Sequence, residues 1–208
     1  MNNSCKLYCT ITAIIGWLTL ALQFYLIIVN RQASVPETIV RYFSYFTILT
    51  NILVAISFTM VAVKGFTGNY FFTRTSTLTA IAVYISIVGL TYNVILRFQW
   101  APQGMDRVVD ELLHLIIPVL YIFFWVKFVP RKNLQWKLIA PWAIYPLAYF
   151  GYTIVRGPSA QWYPYPFMNV TVLGYNKVLF NSAMVTLVFV IIAALFIAIA
   201  KKRAARTI

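Results

Sequence analysis

Six long apolar stretches, separated by short polar turns, make up most of this chain: Tyr8–Asn30, Tyr42–Val63, Ser76–Leu96, Val108–Val126, Trp136–Val155 and Val178–Ala200. At about 1.5 Å of rise per residue, a helix of such length crosses the ~30 Å hydrocarbon core of a bilayer. The backbone must satisfy its own hydrogen bonds there, which helices do and isolated strands do not. Of the 208 residues, 62% are hydrophobic and 10% charged, against roughly 45–50% and 25% in a soluble domain. A globule of this size cannot bury that excess, so lipid must cover it. The expectation is an all-α integral membrane protein, one six-helix domain over residues 1–208. The separators carry turn chemistry: Ser34-Val35-Pro36, Gly65 to Gly68, Ala101 to Gly104, Pro130 to Asn133 and Gly157-Pro158-Ser159.

The net charge of +13 does not make this a nucleic-acid-binding chain, because the basic residues lie in short clusters between apolar runs. Those clusters set an orientation instead. Lys6, Lys64, Arg74, Lys127, Arg131, Lys132, Lys137, Lys201, Lys202, Arg203 and Arg206 fall at the termini and in the second and fourth loops. Arg31, Arg41, Arg97, Arg107, Arg156 and Lys177 fall on the other side, with all four acidic residues, Glu37, Asp106, Asp110 and Glu111. Both termini are therefore expected in the cytoplasm. Cys5 and Cys9, one helical turn apart at that side, are expected to stay reduced.

The single histidine, His114, lies inside the fourth span, where an ionisable group is costly and points to a bundle-interior site. Asp110 and Glu111 precede it by four and three residues and can share its helix face. Glu111 reads as a carboxylate suited to a helix start. Asp110 stays open between that role and orienting the imidazole. Pro118, four residues on, has no N–H for the His114 carbonyl, which is left for another partner. A base needs a nucleophile or a water. Ser44, Thr47 and Asn51 form a polar i, i+3, i+7 stripe in the second span. Counted from the outer side, Thr47 and His114 lie at similar depths, roughly 8 and 10 Å. They meet only if the second and fourth spans are neighbours, which the sequence does not show. Asn93 and Arg97 end the third span in the same layer, as candidates for an oxyanion or a substrate carboxylate. Arg97 reads equally as a snorkelling anchor. The loop Gln161 to Met168 packs Trp162, Tyr163, Tyr165 and Phe167 with two prolines, as an interfacial anchor or a lid. Trp162 and Tyr163 join Ser44 and Arg97 as substrate-binding candidates.

Tyr45-Phe46-Thr47-Ile48, the lone His114 and Trp162-Tyr163-Pro164 together resemble the androgen-induced-gene family. That family includes the androgen-dependent regulator of tissue-factor-pathway inhibitor and small bacterial relatives. The resemblance covers most of the chain through the order and spacing of six helices, and looks closest to the bacterial branch. It implies a multipass threonine hydrolase that cleaves fatty acid esters of hydroxy fatty acids. The family's Thr in a Tyr-Leu-Thr-Phe-like motif and its His two helices later fall on Thr47 and His114. Here the motif reads Tyr-Phe-Thr-Ile. The expectation is a lipid esterase with Thr47 as nucleophile and His114 as base, supported by Asp110, Asn51 and Asn93. Its partners would be a lipid ester and membrane lipids, with no cofactor, metal or nucleic acid. If bacterial, it would sit in the plasma (inner) membrane as a multi-pass protein, its site towards the outer leaflet. A proton-coupled or small-solute transporter and a non-catalytic lipid-binding protein are the alternatives.

Overall fold

The computed structural model describes residues 1–99, 101–131 and 133–204, without the side chains of Arg203 and Ala204. Lys132 and Arg206 of the charge tally lie outside those residues, as does the Arg203 side chain. Among the described residues every regular element is helical. Six helices are long and apolar enough to cross a membrane: α1 Asn3–Val29, α3 Phe46–Lys64, α4 Thr75–Leu96, α5 Gly104–Lys127, α6 Trp136–Ala160 and α7 Val170–Lys202. A short helix, α2 Val35–Phe43, precedes α3.

Local chemistry explains most boundaries. Asn2 caps α1 by accepting from the Cys5 N–H at 2.9 Å. Ser34 does the same for α2, with Pro36 in the first turn. Gln161, in the left-handed conformation, ends α6. Two sequence boundaries move. The Gly157-Pro158-Ser159 separator is helical, and α6 runs through it to Ala160. The last helix begins at Val170 and is broken at Gly174, whose φ of 74° and ψ of 160° leave the helical region.

A third difference bears on the site. The stretch from Tyr42 is not one continuous span: α2 ends at Phe43 with Ser44 as its cap, Tyr45 is extended, and α3 starts at Phe46. Ser44 turns its hydroxyl back to the Val40 carbonyl at 2.7 Å, and its own carbonyl accepts from the Tyr149 hydroxyl at 3.0 Å. Ser44 and Thr47 therefore belong to different helices and share no helical stripe. Thr47 instead sits in the first turn of α3.

Helix α4 is the most buried of the six and packs against α3, α5 and α7, while α1 lies along α3. The interior is stitched by hydroxyl and indole donors. Tyr8 reaches the Leu120 carbonyl, Tyr84 the Trp142 carbonyl, and the Trp125 indole reaches Thr79. Such residues bury an aromatic body and still satisfy one polar atom. Cys5 and Cys9 are free thiols and both buried.

Candidate functional site

Two π-turns face each other at one end of the bundle: Tyr92–Leu96 closing α4 and Leu112–Ile116 inside α5. A π-turn inserts one residue into the helix and is frequent at functional positions. Here its cause is visible. Pro118 offers no N–H to His114, and the His114 carbonyl accepts instead from Asn93 Nδ2 at 3.1 Å, across to α4. Gly89 makes the approach possible, since an added Cβ would lie 3.3 Å from that carbonyl oxygen and 3.4 Å from Pro118 Cβ.

The π-turn presents His114 to α3. Its Nε2 lies 3.3 Å from Thr47 Oγ1. Its Nδ1 lies 2.9 Å from the Asp110 backbone oxygen and 3.1 Å from Asp110 Oδ1. Both groups facing Nδ1 accept hydrogen bonds, so Nδ1 carries the proton and Nε2 turns a lone pair towards Thr47. The imidazole stacks on Tyr92 with ring centroids 3.9 Å apart, and the Tyr92 hydroxyl donates to Asp110 Oδ2. The ring is thus fixed on one face and at one nitrogen.

Thr47 has a second partner that reading the sequence missed. The Tyr165 hydroxyl lies 3.2 Å from Thr47 Oγ1 and accepts from the Thr47 N–H at 3.2 Å. With Thr47 donating to His114, Tyr165 donates to Thr47, and the chain of hydrogen bonds closes without conflict. Burial pushes the Tyr165 phenol up to about 12, so it remains a neutral donor at neutral pH. The loop carrying Tyr165 folds inward because the Tyr163 ring beds against Gly157, where a side chain would collide with it. Tyr165 was legible as part of an aromatic-rich loop, but nothing in the sequence separates it from Tyr163.

The other candidates are spread around this centre. Asn51 spends its amide hydrogens on the Thr47 and Leu113 carbonyls, at 2.8 and 3.4 Å, and so ties α3 to the π-turn. Asn93 divides its amide between the Gly89 and His114 carbonyls and accepts from Arg97 Nε. Arg97 forms a two-point ion pair with Glu111, at 2.8 and 2.7 Å. Its guanidinium is therefore not held open for a substrate. Ser44 pairs with the Tyr152 hydroxyl at 2.7 Å. Trp162 stacks edge-on to Tyr45 under the guanidiniums of Arg41 and Arg156. The Tyr163 hydroxyl is buried without a hydrogen-bond partner among the described residues.

Thr47, His114, Tyr92 and Tyr165 line a cavity of about 300 Å³ whose remaining wall is largely apolar, including Val88, Phe150 and Phe189. The wall also includes Leu147 on α6 and Leu179 on α7, each 54% exposed, so the cavity reaches the flank of the bundle. Among the described residues no three His, Cys, Asp or Glu side chains group to hold a metal ion. A hydroxyl with a lone pair aimed at its hydrogen, at the wall of an apolar cavity, can be deprotonated as a carbon electrophile is approached. Comparison with protein-family models, with curated proteins and with solved structures finds no match.

Proposed function

We propose that the chain is a lipid esterase of the membrane interior, with Thr47 as nucleophile and His114 as general base. The observation that carries this reading is the 3.3 Å contact between Thr47 Oγ1 and an acceptor nitrogen of His114, with Asp110 fixing the opposite nitrogen. The resemblance to the androgen-induced-gene family supports it independently, through the same two residues. It implies long-chain hydroxy-acid esters as the substrate class.

In this reaction His114 Nε2 takes the Thr47 hydroxyl proton as Oγ1 attacks the ester carbonyl carbon. The carbonyl π pair moves onto oxygen, beside the first turn of α3. Three N–H groups there, those of Phe46, Thr47 and Ile48, have no intrahelical acceptor; Tyr165 takes the middle one. A positively polarised helix end with a neutral phenol beside it stabilises the negative charge. The oxyanion collapses, and the alcohol leaves with the proton held by His114. Water then loses a proton to His114, attacks the acyl carbon, and releases the acid as Thr47 Oγ1 regains that proton. Asn51 and Asn93, whose amide hydrogens are bound to carbonyls, act by positioning the two helices. The acyl chain would lie in the apolar cavity and enter from the flank through lipid. The charge distribution would place this site towards the outer leaflet.

Fluorophosphonate labelling of the purified protein tests this. Labelling of wild type, absent from folded Thr47→Ala and His114→Ala, is the expected result; equal labelling of Thr47→Ala would remove the nucleophile assignment. The titratable chain from Asp110 to Tyr165 also suits a proton relay. pH-dependent flux in proteoliposomes, without ester cleavage, would move the assignment to a transporter.

A further inference from the structure

Beside the catalytic cavity lies a second pocket of different chemistry. It measures about 290 Å³ and is lined by Gln23, Asn30, Arg31, Arg41, Tyr45 and Trp162 among others. The first cavity is walled by hydrocarbon; this one mixes amides, two guanidiniums and the Asp106 carboxylate with apolar side chains such as Leu26 and Ile27. The two adjoin across one side chain. Tyr45, a wall of the second pocket, sits edge-on to Trp162 at 5.5 Å and to Tyr165 at 5.9 Å, and Tyr165 belongs to the first. Tyr45 is also two residues from Thr47, which puts their Cα atoms within about 7 Å of each other.

The charges around this pocket do not balance. Glu37 is shared by Arg41 at 2.9 Å and Arg156 at 2.8 Å, so one carboxylate serves two guanidiniums. The pocket wall also holds Asp106, hydrogen-bonded by Asn30, and Arg31, which donates to the Ile28 carbonyl. Three guanidiniums thus face two carboxylates, leaving one positive charge. Arg41 is the residue placed to use it. Its Nε is taken by Glu37 and its Cζ lies over the Trp162 ring, 5.0 Å from the centroid, while its two terminal nitrogens have no partner among the described residues. A guanidinium clamped at Nε and held over an indole by cation–π attraction offers its Nη1–Nη2 edge in a preferred direction. That edge matches the two oxygens of a carboxylate.

We propose that this pocket binds the carboxylate end of an amphiphile, gripped by Arg41, while its apolar chain and ester pass Tyr45 to Thr47. Placing the ester at Thr47 rests on the esterase reading; the carboxylate site does not. Arg41 replaces Arg97 as the substrate-binding arginine, since Glu111 occupies the corresponding edge of Arg97.

The test separates the two claims by measuring binding where no turnover occurs. Thr47→Ala protein in neutral detergent is titrated with a long-chain ester of a hydroxy acid, as the free acid and as its primary amide. The same titrations are run on Thr47→Ala/Arg41→Gln, and the ratio of the two Kd values is compared between proteins so that partitioning into micelles cancels. The ratio is expected to move at least 10-fold towards the amide when Arg41 is lost. Arg41→Lys keeps the charge and the Glu37 pair but not the fork, and should move it at least 3-fold; it decides the question if Arg41→Gln does not fold. An unchanged ratio in a folded variant overturns the carboxylate site, whether or not wild type cleaves the ester. A shift seen with dodecyl phosphate and not with the carboxylate also overturns it, and makes the pocket a phospholipid headgroup site. Absence of cleavage by wild type, with the Arg41-dependent ratio intact, would count against the esterase reading alone.

Discussion

Gly157→Ala is a one-methyl change that should disable the site from a distance. The Tyr163 ring beds so closely on Gly157 that a Cβ there would overlap its edge, with even Cδ1 only 2.6 Å away. The nearest ring atom, Cε1, would lie 2.0 Å from that Cβ; carbon atoms rest at ~3.5–4.0 Å, so the ring must retreat by about 1.5–2 Å. Tyr163 and Tyr165 are separated only by Pro164, and Pro166 follows; two fixed φ angles make this segment stiff. The displacement therefore passes to the Tyr165 hydroxyl, whose contacts with Thr47 are already 3.2 Å long. A further ~1 Å ends both, and a misplacement of that size costs about 10²-fold in rate. Overpacking costs about 1–3 kcal/mol, offset by about 0.5–1 kcal/mol because alanine is the better helix residue. The fold should survive while Thr47 loses its support. Gly151→Ala, in the same helix with nothing within 4 Å of its added Cβ, supplies the control. It should raise the melting temperature slightly and label at the wild-type rate. Fluorophosphonate labelling rates and thermal melts of the two variants check the pair. Wild-type labelling by Gly157→Ala would refute the chain of contacts from α6 through Tyr163 to Thr47.

Tyr165→Phe keeps the ring and removes only the hydroxyl; it should leave the Thr47 N–H unsatisfied, cost about 1–3 kcal/mol in a melt, and slow labelling about 10-fold or more. Asp110→Asn can turn an amide N–H towards Nδ1, favouring the tautomer that blocks Nε2; esterase kcat should fall about 10²-fold or more, with KM little changed. Asn93→Leu orphans the His114 carbonyl and should destabilise the protein by about 1–3 kcal/mol in denaturation, while Gln99→Leu, in the exposed turn after α4, should not. The Arg156 and Arg41 guanidiniums hold the Glu37 carboxyl below its usual range. A carboxyl lowered on folding contributes stability above its unfolded pKa and loses it as pH falls through the folded value. Glu37→Gln should therefore melt below wild type at pH 7, and the gap should close on acidification below about pH 4; a gap independent of pH would refute the ion-pair origin.

Hydropathy made the six helices legible because spanning length and apolar content are properties of each segment alone. The freed His114 carbonyl was legible too, since a proline four residues on removes its donor whatever surrounds it. What could not be read was every feature that depends on a second segment. The Tyr45 break depends on Tyr149 and Tyr152 reaching Ser44 from α6, more than a hundred residues away. The pairing of Arg97 depends on two π-turns bringing Glu111 opposite it. Tyr165 rather than Tyr163 meets Thr47 because of where Gly157 falls beneath the loop. Comparing depths set Thr47 and His114 in one layer on the assumption of an unbroken second span; the structure brings them within 3.3 Å by starting a new helix at Phe46. The break changes the chemistry as well as the position. In mid-helix, Thr47 would turn its hydroxyl to the carbonyl one turn back, as Thr12, Thr19 and Thr79 do here. In the first turn of α3 its hydroxyl contacts are His114 and Tyr165, and its N–H has no intrahelical acceptor. The irregular backbone is what distinguishes this threonine from the structural ones.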